Sequence, residues 1–148
     1  MPDAPYEPLT GGCGCGAVRF EISVPLVAAV YCHCTRCQRR SGTAAAASAR
    51  IVPGSLAVRA GEDRIGDWWA GDGLEKAFCR DCGSALFARD RESGAVAVIR
   101  LGAIDGDPGV RPSAHQFAAD VAPWEPIPED GLPRFDERIP ADFTPPGR

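Results

Sequence analysis

The chain has little that would carry it into a membrane or onto a nucleic acid. No apolar run approaches the roughly 20 residues that span a bilayer. The opening stretch, MPDAPYEPLT, has neither the basic start nor the apolar centre of a secretory leader, so a cytoplasmic protein is expected. Lysine is almost absent: Lys76 is the only one among sixteen basic residues, and the others are Arg. Formal net charge is −4, which disfavours nonspecific attraction to phosphate backbones. No membrane or nucleic-acid partner is expected. There is no internal repeat, and no low-complexity tract beyond the alanines at 44–47.

Long amphipathic helices are missing too. The 148 residues, 45% hydrophobic and 24% charged, suffice for one globular domain with a core. Residues 1–10 carry three prolines and read as a loose arm. Residues 17–24 alternate, with Val18, Phe20, Ile22 and Val24 on one side, and predict a half-buried strand. Residues 27–31 form a second, apolar strand. Residues 35–40 make one or two helical turns closed by Gly42. Residues 43–50 are ambiguous, because alanine favours helix but Gly42 and Pro53 leave room only for a short element. Residues 56–59 are a weak strand, 61–73 a loop, and 95–101 a convincing strand. Residues 77–88 read as a hairpin around Cys79 and Cys82. Nine of fourteen prolines lie from Pro108 onward, so the tail should wrap the surface in extended and turn conformations. Short strands with Gly/Pro turns and little helix predict a mainly β domain.

Cysteine is what the chain has in excess. Seven cysteines in a reducing compartment argue for metal rather than disulfides, and the odd number suits a division into four and three. Fully deprotonated and holding two zinc ions, the protein would carry a net charge of about −7. Cys79 and Cys82, in FCRDCGSALF, form a zinc knuckle: two thiolates, then Gly83 to let the turn curl its N–H groups toward sulfur. A knuckle supplies two ligands and needs two more. Cys13 and Cys15, in GGCGCGAV, are the natural pair, although spacing alone leaves Cys32 and Cys34 as an alternative. Cys32, Cys34 and Cys37, in YCHCTRC, lie close enough to share one ion, one ligand short of a tetrahedral shell.

The order GGCGCGAVRF, YCHCTRCQRRSG, FCRDCGSALF resembles the glutathione-dependent formaldehyde-activating enzyme and centromere protein V family. So does the ending PSAHQFAADVAPWEPIPEDGLPRF. The resemblance implies a small zinc-containing β-tent-like domain over residues 10–136, flanked by an arm (1–9) and a C-terminal tail (137–148). It implies two zinc ions per chain. Cys13, Cys15, Cys79 and Cys82 would hold a structural zinc, and Cys32, Cys34 and Cys37 an open, catalytic one.

A zinc with three thiolates and an open position binds a further thiol and favours its thiolate. Three thiolates also weaken its Lewis acidity, which favours thiol adducts over water activation. The implied activity is that of a carbon–sulfur lyase, an S-(hydroxymethyl)glutathione synthase-like enzyme. Its partners would be glutathione or another small thiol and a small aldehyde such as formaldehyde. Arg36, Arg39 and Arg40 are placed to bind the carboxylates of glutathione, and Gln38 to donate to ligand or sulfur. His33, between two ligands, should point away from the metal. His115 reads as a packing or hydrogen-bonding residue, with a site role as the alternative. Trp68, Trp69 and Trp124 read as core or pocket wall, and Asp81 as solvent-facing. A competing reading is a zinc-stabilised interaction module without turnover, since no general base stands obviously beside the thiolates. Another is a redox-active cysteine triad. Thiolate-rich sites also accept iron.

Overall fold

The computed structural model describes residues 6–145. The parts of the expected arm and tail at 1–5 and 146–148 lie outside the described residues. The chain is mainly β, with 35% strand and 11% helix, and among the described residues a single α-helix, α1, occurs. In order, the elements are β1 (Leu9–Gly12), β2 (Arg19–Ile22), β3 (Ala28–Cys32), α1 (Thr35–Ser41), β4 (Ala46–Arg50), β5 (Leu56–Ala60), β6 (Ile65–Trp68), β7 (Glu75–Cys79), β8 (Ala85–Arg89), β9 (Val96–Arg100) and β10 (Pro112–Gln116). They form a three-stranded sheet, β1-β2-β5, and a seven-stranded sheet, β10-β3-β4-β9-β8-β7-β6.

Register sorts the large sheet into two unlike faces. Ala29 pairs with Ala49, Ala49 with Ile99, Ile99 with Phe87 and Phe87 with Ala77. All five are buried. They pack against Val18, Phe20 and Ile22 of the region around β2 to make the core. Phe20 and Phe87 meet edge to face with centroids 6.3 Å apart, joining the two sheets. Neighbours along each strand alternate to the other face. There the rows run Ala28, Arg50, Val98, Ala88, Lys76 and Val30, Ser48, Arg100. Small side chains dominate these rows, so this face is a trough rather than a second core.

Four segments differ from the sequence expectation, each for a physical reason. Residues 46–50, the ambiguous alanine tract, are strand β4. Burial of Ala46, Ser48 and Ala49 between β3 and β9 overrides alanine's helical preference. Residues 61–73 contain a 3-10 turn at Glu62–Arg64 and strand β6, which pairs with β7 as a sheet edge. The proline-rich tail contains β10, parallel to β3. Pro112 is its first residue and β10 lies at the sheet edge, where a missing N–H is tolerated. Residues 9 and 10, placed in the loose arm, already belong to β1, which pairs with β2.

The turn into β6 depends on Gly61. Its φ is +75°, and a Cβ there would lie 2.0 Å from the carbonyl oxygen of Ala17. Only glycine combines that conformation with that approach.

Candidate metal centres and binding cleft

The sulfur atoms of Cys13, Cys15, Cys79 and Cys82 all lie within 4.8 Å of one another, as do those of Cys32, Cys34 and Cys37. The first group joins the loop between β1 and β2 to the β7–β8 turn. Cys13 and Cys15 Sγ are 3.6 Å apart, and Cys15 and Cys79 Sγ 3.8 Å. Four sulfurs about 2.3 Å from a tetrahedral zinc stand roughly 3.8 Å from each other, so the donor set fits such an ion. The backbone closes around it. Val18 N–H donates to Cys13 Sγ at 3.2 Å. Gly83, with φ +81°, donates its N–H to the Cys79 carbonyl at 2.8 Å and turns the chain between the two strands. Cys82 is drawn down to about 5 by hydrogen bonds from the Ser84 side chain and backbone and the Cys15 backbone. That favours the thiolate a metal needs.

The second group stands at the end of β3 and the start of α1. Cys32 is the last residue of β3. Cys34 is the N-cap of α1, its Sγ accepting from Cys37 N–H at 3.3 Å. Gly42, in the left-handed conformation, ends the helix about two turns later. Cys37 is held far below an ordinary thiol by hydrogen bonds from Cys32 and Cys34 and by the Arg100 guanidinium. Cys32 is pushed up by its contacts with Cys34 and Cys37 and by burial. Among the described residues, no fourth histidine, cysteine or carboxylate joins this group.

The triad opens into a cleft of about 1000 Å³ on the trough face of the large sheet. Its floor is Ala28, Val30, Ser48, Ala88 and Val98. Arg40 and the segment Arg138–Ala141 also line it. The seven cysteines thus gather into the two groups expected. The arginines divide. Arg36 lines the cleft but pairs with Asp72 at 2.5 Å. Gln38 lies outside it and spends its amide on the carbonyls of His33 and Asp120, each at 2.8 Å. Arg39 is exposed and is absent from the lining. Arg40 reaches the cleft between Trp68 and Phe78, 5.9 and 5.7 Å from their ring centroids.

Sequence reasoning missed Lys76 and Arg100, which reach the same cleft from β7 and β9. Their signal was strand alternation, which sets a cation on the same face as small residues. The tryptophans were misread: Trp68, Trp69 and Trp124 are 42%, 39% and 64% exposed, and none lines the cleft. Asp81 is exposed as expected, and pairs with Arg64.

The two histidines, far apart in sequence, meet. His33 Nε2 lies 2.8 Å from His115 Nδ1, and His115 Nε2 lies 2.8 Å from Asp130 Oδ2. Both rings are buried, and Tyr31 stacks on His115 with centroids 5.1 Å apart. Neither histidine belongs to a cysteine group. Burial first, and then the neighbouring His115 ring, lowers His33.

Among the described residues no helix is long and apolar enough to cross a membrane. The family model described as glutathione-dependent formaldehyde-activating enzyme matches residues 8–120. A crystal structure of a Rhodobacter sphaeroides protein is similar at 25% identity and TM-score 0.51, covering 84% of this chain and 98% of that one. No curated protein matches the chain. With most of its length matched, both cysteine groups included, the chain belongs to the glutathione-dependent formaldehyde-activating enzyme family.

Proposed function

We propose that this protein is a zinc-dependent carbon–sulfur lyase that makes or cleaves adducts between glutathione and a small aldehyde, S-hydroxymethylglutathione above all. The observation carrying this reading is the three-sulfur group of Cys32, Cys34 and Cys37, with no fourth ligand among the described residues, opening into a large cleft. Cys13, Cys15, Cys79 and Cys82 would hold a structural zinc that ties the β1–β2 loop to the β7–β8 turn. Cys32, Cys34 and Cys37 would hold the second ion. When bound, that ion supplies the positive charge that keeps a substrate thiol as its thiolate at neutral pH.

The chain's own residues provide the rest. Cys34 and Cys37 are fixed by the first turn of α1, so the sulfurs face the cleft from a rigid element. Gln38 ties that turn to the backbone at His33 and Asp120. The cleft, about 1000 Å³, has room for an extended tripeptide. The aldehyde carbon gains a bond to sulfur and its oxygen takes up a proton; the reverse reaction breaks that bond and returns the aldehyde.

An interaction module without turnover would not need an accessible, incomplete ligand set beside such a cleft. The test is to mix metal-loaded protein with glutathione and formaldehyde and follow adduct formation and exchange by NMR. Exchange faster than the uncatalysed rate, in proportion to protein and lost in Cys37→Ser, is expected. The uncatalysed rate at every protein concentration would overturn the formaldehyde reading.

A further inference from the structure

Six cations line the cleft, and the three that are not exposed, Arg40, Lys76 and Arg100, have no carboxylate partner among the described residues. Arg40 comes from α1, Lys76 from β7 and Arg100 from β9. Among the described residues, none of the three makes an ion pair, although nine such pairs form elsewhere. The carboxylates lining the cleft, Asp72, Asp90 and Asp120, pair with none of these three cations. Asp72 holds Arg36, and Asp90 accepts from its own turn at Glu92 and Ser93. Asp120 contributes a carbonyl to Gln38 and no ion pair.

The cations instead feel each other. Burial, and next the charge of Arg100, lowers Arg40. Burial also lowers Lys76, with Arg100 and Arg40 adding to the effect and Cys37 opposing it. Arg40 Nε is buried with no hydrogen-bond partner. Leaving a charged donor unpaired in this way is costly, and a bound acceptor would relieve it. Arg100 donates to Ser48 Oγ at 2.8 Å and also faces the Cys37 sulfur.

The cysteine triad does not consume this charge. A divalent ion on three thiolates carries one net negative charge, against three positive charges on the cations. The surplus is positive, next to the reactive sulfurs and above a floor of alanine and valine. A ligand that satisfies it has a carboxylate a short chain away from its sulfur.

We propose that Arg40, Lys76 and Arg100 form a carboxylate-binding subsite that selects anionic thiols and their adducts over neutral ones. This inference rests on the proposed thiol-adduct function for its choice of ligand. The subsite itself is built by the sheet register. Lys76 stands in the row with Ala88 and Val98, and Arg100 in the row with Ser48. Two strands therefore set their cations on one face while their neighbours stay small enough to leave room.

The test uses calorimetry on the metal-loaded full chain with S-methylglutathione, which has both carboxylates but no free thiol. Its dimethyl ester, which has the same shape without the carboxylate charge, is the comparison. Tighter binding of the free acid by about tenfold or more is expected, weakening as salt rises. Lys76→Met and Arg100→Met should each reduce that preference several-fold, with the metal content of the wild type. Equal binding of acid and ester, or variants that keep the full preference, would overturn the subsite. Failure of the parent reading looks different. If the acid preference holds but aldehyde exchange stays uncatalysed, the subsite stands and the lyase falls. If exchange is catalysed equally with glutathione and its diester, the lyase stands and the subsite falls.

Discussion

His33 Nε2 and His115 Nδ1 are 2.8 Å apart in a buried contact that spans 82 positions of sequence. Asp130 fixes the direction of this chain of hydrogen bonds. Its carboxylate accepts from His115 Nε2, which turns His115 Nδ1 toward His33 Nε2 as the acceptor. His33 is the residue between Cys32 and Cys34. The contact therefore pins the segment carrying the cysteine triad to the C-terminal part of the chain through β10.

His115→Ala should be strongly destabilising. It leaves His33 Nε2 a buried donor without an acceptor and opens a cavity under Tyr31. A loss of about 2–4 kcal/mol in urea unfolding is expected. Asp130→Ala should cost less, because Asp130 is partly exposed. Stability equal to the wild type in both variants would show the chain to be incidental.

Acid should act partly through the same residue. The His115 hydrogen bond first, and then the Leu132 N–H, holds the Asp130 carboxyl below its ordinary range. The sign follows from proton linkage. A depressed folded value gives stability that is present above the unfolded value near 4 and lost as pH falls through the folded value. Asp130→Asn removes that titration. Its urea stability should therefore fall less steeply than that of the wild type as pH drops below about 4. Parallel acid limbs would contradict this.

The two cysteine groups should respond differently to substitution. Cys79→Ser removes a buried ligand from the set that joins two distant loops, so it should lower stability sharply and cost one metal ion per chain. Cys37→Ser lies at a helix start beside a cleft, so it should cost a metal ion and activity with a smaller loss of stability. Metal analysis alongside thermal unfolding checks both. Equal destabilisation by the two would erase the distinction between a structural and an open site.

Glycine substitutions should separate strain from collision. Gly42→Ala meets open space and bears only the penalty of φ +69°, about 1 kcal/mol. Gly61→Ala adds a Cβ 2.0 Å from the Ala17 oxygen and should be several times worse, or prevent folding. Comparable melting temperatures for the two would refute the close approach.

Much of this was legible in the sequence, because cysteine spacing and short alternating runs are local signals. The knuckle hairpin and the helix closed by Gly42 depend on neighbours within a few positions, whereas spacing left the partner of the knuckle open and the family resemblance supplied the grouping of the seven cysteines. What escaped depended on distant partners. The strand at 46–50 is made by its neighbours β3 and β9, and β6 by β7. β10 was hidden by proline, because its edge position is a property of the sheet. The convergence of Lys76 and Arg100 needed the register of β7, β8 and β9. Arginines adjacent to the cysteines drew attention by proximity, yet Gln38 and Arg36 are committed to other partners.

The central claim is an open coordination position on the ion held by Cys32, Cys34 and Cys37. Zinc X-ray absorption on the two-metal protein, before and after glutathione, tests it most directly. The account predicts fewer than four sulfurs per zinc on average without thiol, rising toward four when glutathione is added, with no rise in Cys37→Ser that has lost its second ion. Four sulfurs per zinc from the outset, or an average unmoved by saturating glutathione, would contradict it.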